Sequence, residues 1–429
     1  MTSKSSQQEK LCHWINHATF GVTSDLLKKL STAAATEREQ WKIYVTEQLS
    51  QQTPRDERVE RKIKSLGFRT LDKSLSELWS EHFLEAKKIR EMRKASPDES
   101  EKKSRDKKEK IVRDIALEPV RELELASWIR MVHSEWQIHE RMVEFWHDHF
   151  NIFGHEQRHA AGLVTLNRDV IRPQALGNFR QLLGQLCRNP ALLFYLDNAQ
   201  NQSGNPNENF ARELFELHTL GAENYLGTLD RERVGKDING HVLGYVDGDV
   251  YEAARAFTGW RVADGSAGLD KNTGEFLYHE AWHDRFQKIV LGQKIQEHQA
   301  PLKDGNDVLD FLSAHPGTAR YLVRKICRRF LSDNPPQNLV SRLSEEWLKK
   351  KDSPTQIAEV LRSLLLSEEF LSCQSTKFKR PVEYFTSLLR SLAPDFIPTE
   401  KFIQATTRSG QRLFGWKTPD GAPDTAPPW

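Results

Sequence analysis

The chain has 429 residues, of which 28% are charged and 38% hydrophobic, with 62 Lys and Arg against 60 Asp and Glu. That length allows a large core and leaves the number of domains open, and the near-neutral balance gives no electrostatic footprint for nucleic acid. Cys12, Cys187, Cys327 and Cys373 show no Cys-x-x-Cys spacing, which fits free thiols in a reducing compartment better than a disulfide frame or a zinc ribbon.

The N-terminus is polar with no apolar segment behind it, and no run of about 18 apolar residues occurs, so neither a standard export signal nor a membrane span is expected and the chain is assigned to the cytoplasm. Over 11–49 apolar residues recur at helical spacing with a break at Phe20-Gly21, which predicts two or three short helices. The segment 86–114 turns almost wholly charged and reads as a solvated helix or mobile loop. Helical periodicity resumes over 118–150, where Leu125, Trp128, Ile129, Val132, Trp136, Met142, Val143 and Trp146 supply a broad apolar face. Further helices are expected at 174–188, 207–220, 250–258, 308–314, 318–331, 339–350, 354–366 and 382–392. Short strands are expected only within 246–250 and 275–292. Loops over 223–249 and 263–288 lie between helices, and 417–429 holds too much Pro and Gly for anything but an extended tail. The prediction is a mainly α protein: one irregular multi-helix domain over 1–416 with little β structure, a charged surface insert at about 86–114, a loop insert at about 223–249 and a tail at 417–429.

The most informative stretch runs from Asn205 to Gly221. Asn205 or Asn207 can cap a helix there, Glu208 favours its positive end, and Gly221 can take the left-handed C′ position. Glu208, Arg212 and Glu216 then share one side with Glu213 beside Glu216, while Ala211, Leu214, Phe215 and His218 form a mostly apolar stripe. A surface ladder with Arg212 between Glu208 and Glu216 is the bland reading, but the surrounding apolar residues argue that some of these charges are partly buried and need partners or a metal.

Other candidate clusters are less specific. His155-Glu156-Gln157-Arg158-His159 is a literal H-E-x-x-H, yet a zincin sets that motif within an amphipathic helix and adds a third ligand downstream, whereas here a turn-like Asn151-Ile152-Phe153-Gly154 precedes it, which makes a zincin site a poor fit. His147 and His149 lie two residues apart and share a metal only if the helix unwinds. His283-Asp284 on a loop could be metal ligands or an acid/base dyad, and Asp197 closes an apolar run. Serine-hydrolase, phosphate-loop and dinucleotide fingerprints are all missing.

Taken in order, Ala18-Thr-Phe-Gly21, Phe145-Trp-His-Asp-His-Phe150, Ala175-Leu-Gly-Asn-Phe-Arg180, Asn189 through Asn198, Asn207 through Gly221, Ala256-Phe-Thr-Gly-Trp260, His283-Asp284, Lys379-Arg-Pro381 and Thr418-Pro-Asp-Gly421 resemble the bacterial family catalogued as domain of unknown function 1800. The resemblance covers nearly the whole chain and implies one mainly helical domain. Many relatives look exported and accompany proteins with a sulfatase-like fold, which implies glycan or polymer processing and a sulfatase-like partner. This chain departs in lacking a signal peptide, in its insert over 226–248, and in ending soon after the tail motif.

The functional expectation is a metal-dependent hydrolase-like enzyme acting on a polar or anionic, glycan-type substrate. Glu213, Glu216, Asp197 and Arg212 form its catalytic group, and His149, Glu208, His218, His283 and Asp284 hold a divalent metal of unspecified identity. The rivals are a non-catalytic helical scaffold fixed by a buried polar network, and a glycan-binding protein that stacks sugars on Trp260, Trp282 and Tyr278.

Overall fold

The computed structural model describes residues 4–51, 53–95, 102–266, 268–373, 377–392 and 395–425. Three helices open it, Lys4–Ala18, Ser24–Ala33 and Glu37–Gln48, as the spacing predicts. Their starts are set locally: Thr23 Oγ1 accepts the Leu26 N–H at 3.2 Å, and Thr36 and Glu39 form a reciprocal capping box. The charged stretch is helical where it is described. Glu85–Ala95 packs on Lys102–His133 through Ala86, Val112 and Ala116, so its scattered apolar residues form a small satellite core.

The predicted helix over 118–150 is two helices. Lys102–His133 ends, Ser134 Oγ accepts the Trp136 N–H at 3.0 Å, and Gln137–His149 begins. The Gln137 side-chain amide donates to Met131 O at 3.1 Å and Ser134 O at 2.8 Å, which satisfies carbonyls freed by the break. Every residue from Gln137 to Trp146 is buried, so this helix is enclosed on all sides, and its His139, Glu140, Arg141 and Glu144 must all find partners inside the protein. The apolar core around it draws on residues from Leu11 to Phe370.

The later helices follow the prediction closely: Phe179–Leu186, Pro316–Phe330, Gln337–Lys349, Gln356–Leu365 and Pro381–Leu392. The strand expected over 246–250 is instead the start of the helix Asp247–Ala256, because Asp249 Oδ2 turns back to accept the Val246 N–H at 3.1 Å and the acidic residues favour the positive helix end. Among the described residues the sheets are two antiparallel pairs, Trp260–Asp264 with Asn272–Tyr278 and Lys288–Val290 with Gln293–Ile295. Trp260–Asp264 was not expected as a strand. The chain is mainly helical with little β structure, and no helix among the described residues is long and apolar enough to cross a membrane.

Candidate functional site

The Asn205 to Gly221 stretch begins as expected, with Asn207 Oδ1 accepting the Asn209 N–H at 2.9 Å. It then changes character: Asn209–Glu213 is α-helical and Leu214–Thr219 is a π-turn, closed by Thr219 Oγ1 donating to Leu214 O at 2.6 Å. Such π-turns are often found at functional sites. Gly221 has φ 89° with ψ 149°, so its φ is positive as predicted but its backbone is extended rather than left-handed helical. Any side chain there would meet the Tyr321 ring.

Ala211, Leu214, Phe215 and His218 are buried, and the opposite edge carries the charges. Arg212 donates to Glu208 at 2.9 Å and to Asp247 at 3.2 Å, and the Tyr225 hydroxyl donates to the same Asp247 oxygen at 2.6 Å. Arg212 therefore ties the central helix to the 223–249 insert, and Glu208 is occupied by that tie.

Glu213 and Glu216 have a different environment. Partial burial raises the Glu213 carboxyl, the Glu216 and Asp420 charges raise it further, and Arg212 only partly opposes them. Asp420 belongs to the tail motif, where it accepts from the Thr418 hydroxyl at 2.5 Å. The Tyr195 hydroxyl borders the same group: it donates to Lys417 O at 2.7 Å, and burial, with Asp420 and Glu213, pushes it up to about 12. Asp197 lies at the edge, exposed, with φ 62° and a 3.4 Å contact from the Asn209 amide. Glu213 and Glu216, one helical turn apart, thus share an electrostatic neighbourhood with Asp420 and Tyr195.

The tail that brings Asp420 there is not loose. Asn151 donates to Trp416 O at 3.0 Å and Thr418 O at 2.7 Å, and the Ala422 N–H donates to Asp148 at 2.9 Å. Gly421 has φ 77°, and a Cβ on it would collide with the Asp148 carbonyl. Beneath this contact lies a buried lattice of ion pairs. Asp148 accepts from Arg380 at 2.6 Å and Arg329 at 2.8 Å, Arg329 also reaches Asp424 at 3.0 Å, and Glu383 pairs with Arg141 at 2.7 Å and Arg380 at 3.2 Å. Glu144 pairs with both Arg329 and Arg380. Burial alone would raise the Glu383 and Asp424 carboxyls, but the surrounding arginines, with Lys377 at Glu383 and Lys325 at Asp424, hold both well below the usual range.

The expected metal ligands do not gather. His149 and His218 are fully buried among aromatic rings, with ring centroids 6.0 Å apart. Burial keeps both neutral, His218 lowered to about 3, and its two ring nitrogens have no hydrogen-bond partner among the described residues. His283 and Asp284 form a separate clasp. His283 Nδ1 contacts Thr258 O at 2.9 Å and its Nε2 lies 3.3 Å from Asp304, while Asp284 accepts from Arg255 at 2.8 and 3.0 Å. Lys288, with no side-chain exposure, joins this clasp through Asp304 at 2.7 Å. These bonds fasten the hairpin to the helix Asp247–Ala256, and none of the partners is Glu208, Glu213 or Glu216. Among the described residues no group of three or more His, Cys, Asp or Glu is arranged to hold a metal ion. In the H-E-x-x-H stretch, His159 Nδ1 contacts Phe153 O at 2.7 Å, a structural bond.

Asp148, Arg329, Arg380, Glu383, Asp420 and Asp424 were not singled out from the sequence as site residues. The sequence signal for Asp148, Arg380 and Asp420 was their place in the short motifs that carry the family resemblance. Of the residues expected to stack sugars, Trp260 is fully buried against Phe257 and Phe276, and the Arg261 guanidinium covers the Trp282 ring at 3.7 Å.

A helical protein whose short motifs meet at one carboxylate group and one ion lattice defines the class. The chain belongs to the family described as protein of unknown function (DUF1800), whose model matches residues 13–429. No curated protein and no solved structure matched it.

Proposed function

We propose that the chain is a hydrolase-like enzyme that works by carboxylate acid–base chemistry where the central helix meets the tail motif, on a polar substrate of glycan type. The observation that carries this reading is the half-buried setting of Glu213, whose carboxyl is raised by burial and by the Glu216 and Asp420 charges. A carboxyl held up by burial and by neighbouring carboxylates is suited to be the proton donor, and a second carboxylate beside it to be the base. Glu213 would protonate the leaving oxygen while Glu216 or Asp420 takes a proton from water, whose oxygen forms the new bond to the carbon losing that leaving group. Tyr195, anchored on the Lys417 carbonyl, lies beside the group and would help position the substrate.

The test is turnover of a panel of polysaccharides and aryl glycosides by the full chain. Glu213→Gln should lower the rate by about 10² to 10⁴ with no loss of melting temperature. Absence of turnover across the panel, or full activity in the variant, overturns the reading.

A specific observation favours the scaffold reading as well: the Glu144, Asp148, Arg329, Arg380, Glu383 and Asp424 lattice ties the enclosed helix, two later helices and the tail together. On this reading the polar residues fix packing, and breaking the lattice changes stability while no substrate is turned over.

A further inference from the structure

A cavity of about 50 Å³ lies between the enclosed helix Gln137–His149 and the tail, with Met131, Val143, His147, Asn167, Phe414 and Trp416 in its wall. One water needs at least about 10 to 15 Å³ measured in the same way, so there is room for a group of a few heavy atoms. The charges in the wall are already matched. Arg172 holds Glu140 at 2.6 and 2.9 Å, Arg412 is held by Glu124 at 2.8 Å, and Glu144 and Asp148 belong to the ion lattice. A neutral polar ligand therefore suits the cavity better than an ion, which would have to break one of these pairs.

Two neutral donors in this wall are left over. The Asn167 amide nitrogen lies 2.8 Å from His147 Nε2, and since an amide nitrogen only donates, Nε2 accepts and the neutral ring carries its proton on Nδ1. Burial, with the Arg172 charge, keeps that ring neutral by lowering it to about 3. Nδ1 has no partner among the described residues, and unlike the ring nitrogens of His218 it keeps accessible surface on the cavity. Gln411 is the second donor: its Oε1 accepts the Val382 N–H at 3.0 Å, which leaves its amide nitrogen accessible and without a partner among the described residues. Around them the wall is apolar, with Met131, Val143 and the Phe414 ring, whose centroid lies 5.0 Å from that of His147. Such a wall matches a small group with a neutral acceptor at one end and a methyl at the other.

We infer that this cavity takes the acetamido group of an N-acetylhexosamine, with the amide carbonyl accepting from His147 Nδ1–H, the Gln411 amide as the second donor, and the methyl against Met131, Val143 and Phe414. The sugar that carries the group rests on the glycan reading given above: the tail that walls the cavity through Phe414 and Trp416 also carries Asp420, whose charge acts on Glu213. The pocket would narrow that glycan to an N-acetylated one.

The experiment is ligand-observed NMR of the full chain with N-acetylglucosamine and with glucose, which carries a hydroxyl in place of the acetamido group. N-acetylglucosamine should bind saturably, with its acetyl methyl receiving the strongest saturation transfer, and glucose should bind at least about tenfold more weakly. His147→Phe, which keeps a ring and loses the donor, should weaken binding by about tenfold. If that variant does not fold, Ser127→Leu, which fills the cavity from the helix Lys102–His133, should abolish binding and decides the matter. No saturable binding of N-acetylglucosamine, glucose bound as tightly, or undiminished binding by either folded variant overturns the inference. The catalytic reading is tested apart from it. Methyl-directed binding without turnover of any N-acetylated glycan supports the pocket and removes the role of Glu213, whereas turnover with no preference for N-acetylated substrates overturns the pocket and leaves Glu213 its role.

Discussion

Asp148 and Ala422 are joined by a 2.9 Å hydrogen bond from the main-chain N–H of the tail to one carboxylate oxygen, while the other oxygen is held by Arg380 and Arg329. A single side chain therefore couples the position of the tail to the buried ion lattice, and the tail in turn carries Asp420, whose charge acts on Glu213.

The closeness of this junction can be tested at Gly421. Its φ of 77° and the space taken by the Asp148 carbonyl leave no room for a side chain. Gly421→Ala should cost about 1 to 3 kcal/mol and release the tail, seen as a lower melting temperature and new proteolytic cleavage near residue 420. An unchanged melting temperature would show that the tail is held elsewhere.

Removing one partner from the lattice leaves an uncompensated buried charge. Glu383→Gln strands Arg141, which is fully buried, and should destabilise the chain by about 3 to 5 kcal/mol in denaturant titration. Arg38→Gln, which breaks an exposed pair with Glu368, should leave the denaturation midpoint nearly unchanged. Equal effects from the two would mean that the lattice is hydrated.

Acid should destabilise the protein from the histidine range downward. Burial lowers His147 and His218 to about 3 and pushes His149 far down, whereas each would titrate near about 6.5 in the unfolded chain. Below that pH the unfolded state binds more protons, so stability present at neutral pH is lost as pH falls from about 6.5 toward 3. The depressed Glu383 and Asp424 carboxyls extend the loss below about 4.5. The melting temperature should therefore drop between about pH 7 and 5, and His218→Asn should make that slope shallower. A flat profile over this interval would contradict the neutral buried state.

Glu213 has the opposite dependence. Its carboxyl is raised in the fold, so its contribution to stability is fully present below the unfolded value of about 4.5 and declines as pH rises through the folded one. Glu213→Gln should leave stability unchanged or higher at pH 7, with any gain vanishing near pH 4. A marked loss of melting temperature at pH 7 would instead make Glu213 a structural residue.

Much of the fold was legible because helices announce themselves locally. Apolar residues at i, i+3 and i+4 placed Gln337–Lys349, Gln356–Leu365 and Pro381–Leu392 to within a few residues. Where two signals competed, the local one misled: Val246 and Val250 suggested a strand, but the acidic residues between them start a helix. Trp260–Asp264 escaped notice because its strand character comes from pairing with Asn272–Tyr278, with a register shift between Val262 and Asp264.

The sequence by itself determined the helical class and the burial of Ala211, Leu214, Phe215 and His218 on one side of the central motif, since both follow from spacing along a few turns, and its short motifs taken in order pointed to the family. Only the tertiary structure decided which charges meet. It brought the Asp420 charge to bear on Glu213, gave His283 and Asp284 to a clasp with Lys288 and Arg255, and left Arg390 with carbonyls alone. A side chain's periodicity says which face it occupies. Its ionic partner is chosen by packing among residues such as Asp148 and Arg380, 232 positions apart, and no local pattern encodes that choice.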